Sequence, residues 1–336
     1  MGTLRKILVE KDKSCKSLWF MRQAGRYLPE FKKIRSQNKD FIQLCLNSEL
    51  SKEITLQPIN RFDLDAAIIF SDILLVPFAL GQKVSFTKGN GPLLENFNLD
   101  HFMQNDTNLF TERLAPVYEA IRKTREALDK KKSLISFVGA PWTLVVYMLN
   151  LKKGKENINL SIVKNKNREI KLIINKLIDF LSIHIQKQIN AGSDVVQIFD
   201  SWAGFLNEEN IKNFCFEPNR KLVEFCKKIN IPVICFPKGI KKNYEKFNKI
   251  VKPDGLNLDY EIDPIWAREK LTNVALQGGL NPKTLLKNEK EVLEEAKRYL
   301  DIFRDVPYIF NLGHGLVPDT KPEMVKKLVE FYRKYQ

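Results

Sequence analysis

Ala66-Ala67-Ile68-Ile69-Phe70 is an apolar run of five residues that stops abruptly at Ser71-Asp72. An apolar run this short, bounded by polar residues, is the pattern of a strand buried on both faces. The same punctuation recurs along the chain. Residues 134–138 lead into Gly139-Ala140-Pro141-Trp142-Thr143, 195–199 into Asp200-Ser201-Trp202, and 232–236 into Pro237-Lys238-Gly239. Residues 255–258 form another run, 274–277 lead into Gly278-Gly279, and 308–312 lead into Gly313-His314-Gly315. Residues 18–21 make an eighth, less regular run that ends at Arg22.

Helical patterns separate these runs. Ile170, Ile173, Ile174, Leu177, Ile178, Leu181, Ile185 and Ile189 repeat at helical spacing, as do Val292, Leu293, Ala296, Tyr299, Leu300 and Phe303. Residues 49–61 read as a helix containing Pro58, and Val117, Ile121 and Leu128 mark another. The last helix opens with Thr320, Pro322 and Glu323, a capping-box spacing. Strands alternating with helices give a parallel sheet under helical cover. Seven or eight such units in 336 residues predict an α/β chain folded as one (β/α)8 TIM barrel spanning 1–336, with an arm and a site loop in about the first 35 residues. A doubly wound open sheet is the alternative, and no Gly-x-Gly-x-x-Gly or P-loop supports it. Residues 81–91 suggest an inserted hairpin turning at Gly89-Asn90-Gly91, and the polar residues 150–167 suggest a long mobile loop.

In such a barrel the chemistry sits at the carboxyl ends of the strands. Each run above empties polar residues at that one rim. The richest stretch is Trp19-Phe20-Met21-Arg22-Gln23-Ala24-Gly25-Arg26-Tyr27-Leu28-Pro29. It sets two guanidinium groups four residues apart among apolar neighbours. Such groups need anionic partners, either acids of the chain or an acidic ligand. Gly25 is expected to take a backbone conformation other residues avoid, and Pro29 disfavours helix at Leu28, so 22–28 reads as a loop before a helix carrying Lys32, Lys33 and Arg35.

Composition narrows the function classes. The net charge is +15, from 55 basic and 40 acidic residues. That favours polyanionic partners, whether nucleic acid or a polycarboxylate. The Lys tracts, such as Lys130-Lys131-Lys132, Lys152-Lys153 and Lys241-Lys242, are dispersed and read as solvated surface, which speaks against nucleic acid. No apolar run has the length of a membrane span, and no signal-peptide pattern is visible. Cys15, Cys45, Cys215, Cys226 and Cys235 form no Cys-x-x-Cys pair, and we read them as reduced thiols in a cytoplasmic protein.

The arginine string resembles the amino-terminal signature of the uroporphyrinogen decarboxylase family. Phe70-Ser71-Asp72-Ile73-Leu74, Gly139-Ala140-Pro141-Trp142-Thr143-Leu144, Phe199-Asp200-Ser201-Trp202-Ala203-Gly204, Gln277-Gly278-Gly279-Leu280-Asn281-Pro282 and Asn311-Leu312-Gly313-His314-Gly315 resemble further motifs of that family, in the family order. The resemblance implies a homodimeric barrel that removes CO2 from the four acetate arms of uroporphyrinogen without metal or organic cofactor. It implies that Arg22 and Arg26 bind substrate carboxylates and that Asp72 faces the pyrrole nitrogens. Tyr147, Ser201 and His314 would surround the reacting acetate, with Gln23 and Arg35 as lesser substrate contacts. Asp72 and Arg22 are the expected catalytic pair, Arg22 as a possible aid to proton delivery. His101 and His184 are expected to be structural or exposed, and Trp142 and Trp202 to be wall and core. Lys321 and Trp202 depart from the family pattern. Two further readings stay open: a zinc- or corrinoid-dependent methyltransferase on the same barrel, and a porphyrin binder without activity.

Overall fold

The computed structural model describes residues 2–87, 91–154 and 157–335. All eight apolar runs become parallel strands: β1 (Ser17–Leu18), β2 (Ala66–Ile68), β3 (Ser133–Gly139), β4 (Val195–Asp200), β5 (Val233–Pro237), β6 (Gly255–Leu258), β7 (Ala275–Gly278) and β8 (Tyr308–Phe310). Their order around the sheet is β1-β8-β7-β6-β5-β4-β3-β2, so from β2 to β8 each strand pairs with its neighbours in chain order and β8 returns to β1. This is the (β/α)8 barrel, with helices outside.

The seam between β1 and β2 has no continuous ladder. Side chains and loop backbone close it instead. Asp65 N–H donates to Leu18 O at 2.9 Å, and the Asp65 carboxylate accepts from Leu18 N–H at 2.6 Å. Arg333, on the last helix, pairs with the other Asp65 oxygen at 2.7 Å. Unpaired backbone groups in a buried seam are costly, so these bonds substitute for the missing strand contacts.

Inside the barrel the residues stack in layers. At the amino-terminal end Leu4, Ile7 and Leu8 from the first helical turns enter the barrel. They pack on Ala66, Ile135, Val195, Ile234, Ala275 and Ile309. Gly255 makes room, since a Cβ there would lie 2.6 Å from the Leu8 side chain. Above this plug lies an amide layer. Trp19 Nε1 donates to Gln277 Oε1 at 3.0 Å, and Gln277 Nε2 donates to Asn257 at 2.8 Å and to Gln197 at 3.2 Å. Above that, Phe199 meets Phe137 and Phe236 at 5.6 and 6.4 Å between ring centres. These rings floor the carboxyl-terminal cup.

Several local expectations need correction. Residues 150–167 are not one long loop: Leu151 is buried, Lys152 and Ile158 form an antiparallel bridge, and Leu160–Asn165 is helical. Leu151, Ile158 and Val163 are the buried anchors that order this otherwise polar stretch. The hairpin forms from Val84–Thr87 and Gly91–Leu94, while Gly89 and Asn90 lie outside the described residues. The helix Pro322–Tyr335 forms, but no capping box does, because the buried Thr320 hydroxyl has no hydrogen-bond partner among the described residues.

Candidate active site

The rim of the barrel collects the residues that the strand ends promised. Arg22 follows β1, Asp72 follows β2, Ser201 follows β4 and His314 follows β8. Tyr147 comes from the helix Pro141–Met148, which starts directly after β3. Arg22 interacts electrostatically with Arg26, Asp72 and Tyr147, and His314 interacts with Arg22. These five side chains therefore share one cup.

The arginine loop is held open by its backbone. Arg22, not Gly25, takes the left-handed conformation, at φ 60°. That is costly for a side chain as large as Arg. Gly315 supplies the space, because a Cβ at 315 would sit 2.3 Å from Arg22 Cδ. Gln23 stabilises the same turn from beneath. It is fully buried, its Oε1 accepts Phe20 N–H and its Nε2 donates to Ala66 O, both at 3.0 Å. Gln23 thus staples the β1–β2 seam and does not face the cup, which corrects its expected place among the substrate contacts. Arg35 is also turned aside. It caps its own helix end through Asn38 O and Lys39 O, and its guanidinium lies 5.7 Å from the centre of the Phe41 ring.

Neither Arg22 nor Arg26 makes an ion pair or a hydrogen bond with any described residue. Arg22 is accessible to water yet hemmed by protein, as a side chain is when solvent reaches it only through the mouth of a recess. Burial and the charge of Arg26 both press on its cationic form. The anionic partners that the sequence called for are therefore not chain acids at hydrogen-bond range. An acidic ligand is the remaining candidate.

Asp72 is the acid of the cup. Its Oδ1 accepts Leu74 N–H at 2.8 Å, leaving the other oxygen without a partner among the described residues. Burial raises its pKa from 3.8 to about 6, against the opposing Leu74 bond and Arg22 charge. At pH 7 the carboxylate remains mostly ionised. Tyr147 is held protonated, chiefly by burial, partly offset by the Trp202 indole, with Asp72 pushing the same way as burial. Trp202 meets it edge-on at 6.1 Å, and Lys152 Nζ sits 4.9 Å from the centre of its ring. Lys152 is therefore not solvated surface, and burial lowers its pKa.

His314 accepts Gly315 N–H on Nδ1 at 2.7 Å. The neutral ring then carries its proton on Nε2, ready to donate. Burial, Arg22 and Lys238 lower its pKa to about 3, so it does not titrate near neutrality as a free His would. Ser201 lies half-buried on the same rim, its hydroxyl without a partner among the described residues. Behind it, Asp200 is fully buried and accepts from Thr143 Oγ1 at 2.8 Å and Asn219 Nδ2 at 3.1 Å. Thr143 in turn accepts Trp202 N–H at 3.2 Å, so Asp200 ties the Ser201 turn to the helix that carries Tyr147. The other histidines lie away from the cup. His184 is buried and bonded to Tyr118 and Gln188, and His101 is exposed beside Gly81. Sequence reasoning missed the placement of Lys152; it set Lys238 on the rim after β5 but gave it no role.

Among the described residues, no group of three His, Cys, Asp or Glu side chains is placed to hold a metal ion. All five cysteines are free thiols, four of them buried.

A parallel barrel whose carboxyl-terminal cup offers unpaired cations around one acid defines the class: a barrel enzyme for anionic substrates. Comparison with known proteins makes it particular. Residues 4–335 match the family model "Uroporphyrinogen decarboxylase (URO-D)". The chain is 42% identical over 328 residues to the uroporphyrinogen decarboxylase of Rickettsia felis, covering 95% of this chain and 93% of that one. It is 40% identical to that of Wolbachia pipientis wMel, covering 95% and 94%. The chain belongs to the uroporphyrinogen decarboxylase family. Among solved structures, a methyltransferase from Methanosarcina mazei superposes with a TM-score of 0.78 over 100% of this chain and 99% of that one, at 16% identity, a likeness of fold.

Proposed function

We propose that this protein is a uroporphyrinogen decarboxylase: it converts the four acetate arms of uroporphyrinogen III to methyls, giving coproporphyrinogen III. The observation that carries this reading is the pair of unpaired guanidiniums, Arg22 and Arg26, facing one carboxylate in a single cup. Membership of the family supplies the reaction.

The chemistry follows from the groups present. Breaking the bond to the carboxyl leaves an electron pair that needs a sink, and a protonated pyrrole is one. A proton adds to a ring carbon, the ring becomes cationic, and the electrons of the breaking bond flow into it as CO2 departs. The exocyclic carbon then takes a proton and the ring carbon returns its own. Each cycle consumes one proton per CO2 released. No metal or organic cofactor enters this scheme.

In this scheme Asp72 accepts the pyrrole N–H groups and stabilises the cationic ring as it forms. Contact with those donors and with the cation draws its pKa back below about 6, keeping it ionised. Arg22 and Arg26 clamp carboxylates and orient the macrocycle. Tyr147, Ser201 and the Nε2–H of His314 donate to the reacting arm or its neighbour. The Phe floor gives the macrocycle an apolar surface. We further propose a cytoplasmic homodimer, a state that sedimentation in solution checks.

The direct test is anaerobic incubation of the purified protein with uroporphyrinogen, followed by a count of the carboxyl groups lost. Loss of four supports the reading. Bound tetrapyrrole with all eight intact marks a porphyrin carrier. No binding, together with stoichiometric tight zinc, supports methyl transfer.

A further inference from the structure

The two guanidiniums stand on one side of the cup. Arg22 and Arg26 follow β1, and β5 lies four strands from β1 in either direction around the eight-stranded barrel. Along β5 the side chains alternate. Ile234 and Phe236 point into the barrel, while Cys235 packs outward with the helices. The strand ends at Pro237, and Lys238 opens the turn that follows at the rim, its N–H also donating to Phe236 O at 3.1 Å.

Its backbone is fixed on both sides. Lys238 N–H donates to Asp200 O at 3.1 Å and its carbonyl accepts Gly204 N–H at 2.9 Å. Next to it, Gly239 adopts φ 78° and presses so closely on Gly204 that a Cβ on Gly204 would lie 2.5 Å from Gly239 O. Gly239 N–H is held by Asp259 Oδ2 at 2.8 Å. This is a rigid mount for a long, flexible side chain. The ammonium itself, half-buried, makes no ion pair or hydrogen bond with any described residue. Yet its field reaches His314, three strands away around the rim, so it leans across the mouth and not outward.

We propose that Lys238 is a substrate-binding residue that reaches in over the mouth from the strand opposite the Arg22–Arg26 pair and grips a carboxylate of the macrocycle. This rests on the decarboxylase reading above. A macrocycle with acidic arms on all four rings presents carboxylates at both poles of the cup. Cations on one side alone would hold it at an edge. A third cation mounted on the far strand grips it from another direction and holds it over the Phe floor, with its centre at Asp72.

The test uses the full-length protein with Lys238→Met and Lys238→Arg. Two readouts apply: steady-state kinetics with uroporphyrinogen, and binding of uroporphyrin, the oxidised octa-acid that is not decarboxylated, by fluorescence. Lys238→Met is expected to raise KM and the uroporphyrin Kd by about tenfold, with kcat within about threefold of wild type, since a bond to a charged group is lost in ground and transition states alike. The Kd of that variant should also depend less on salt. Lys238→Arg should restore both constants to within about threefold, because the charge is retained. Unchanged KM and Kd in a folded Lys238→Met variant overturn the assignment. So does a fall confined to kcat with intact uroporphyrin binding, which would make Lys238 a proton donor. If the wild-type protein binds uroporphyrin but releases no CO2, and Lys238→Met weakens that binding, the reaction assigned above fails while the carboxylate contact stands.

Discussion

The two ends of this barrel solve opposite problems with the same eight strands. At the amino-terminal end the chain inserts Leu4, Ile7 and Leu8, which are almost wholly buried there. One cation is tolerated there, Lys11, whose amine donates to the carbonyls of Leu8 and Asp254 at 2.6 and 2.5 Å. Burial lowers its pKa to about 8. At the carboxyl-terminal end Arg22, Arg26 and Lys238 make no ion pair or hydrogen bond with the described residues through their side chains, and Arg22 is held in a strained conformation. An unsatisfied charge destabilises a fold unless something outside the fold satisfies it. The closed end spends its residues on stability, and the open end holds its charges for a ligand.

If that contrast is right, changes at the open end alter turnover and changes at the closed end alter stability. Asp72→Asn should keep the fold and lower kcat by about a thousandfold, the scale of removing a preorganised charge from the reacting centre. Anaerobic turnover assays check this, and a near-wild-type rate breaks the electrostatic role. Arg26→Ala should reduce kcat/KM by about a hundredfold through loss of a charge-assisted contact.

At the closed end Leu8→Ala should cost about 2–4 kcal/mol of stability, read by denaturant unfolding, with kcat unchanged. A matching loss of turnover would show that the two ends are coupled.

The pH profile sharpens the same picture. The ratio kcat/KM should fall as pH drops through about 6, where Asp72 of the free protein takes up a proton, and kcat should fall only at lower pH. His314, lowered to about 3, contributes no inflection between 5 and 8. The acid limb should therefore persist in His314→Gln and be absent from the residual activity of Asp72→Asn.

The smallest effect concerns stability at the open end. Asp72 binds its proton up to about pH 6 in the folded chain but only up to 3.8 in the unfolded one. Between those values the folded state holds the extra proton, so stability falls as pH rises from about 4 to 6 and the penalty is complete at pH 7. Asp72→Asn, which keeps the acceptor for Leu74 N–H, should raise stability at pH 7 by about 1 kcal/mol, a figure discounted for the water that reaches this carboxyl. No gain would mean that the carboxylate is less strained than its burial implies.

Much of the architecture was legible because a parallel strand buried on both faces has to be apolar throughout. Each of the eight runs became a strand, and each polar break after a run became part of the rim. Asp72, Ser201 and His314 were found by that rule. Gln23 and Arg35 were not, because sequence adjacency to Arg22 says nothing about which way a side chain turns. Gln23 faces the seam, since its amide supplies bonds that β1 and β2 do not make to each other. The order in residues 150–167 was hidden for a similar reason: three buried side chains, Leu151, Ile158 and Val163, outweigh the polar remainder.

By itself the sequence determined the alternation of strands and helices, the rim on which polar groups collect, and the family. These depend on local pattern, and hydrophobic burial acts on pattern directly. Only the tertiary structure decided that Arg22 carries the strain that Gly25 was expected to absorb, that His314 stays neutral, and that Lys238 reaches in over the mouth from the strand opposite the arginines. Each of those depends on distances through space between residues far apart in the chain. Charge, burial and steric room act at such distances, and spacing along the chain does not encode them.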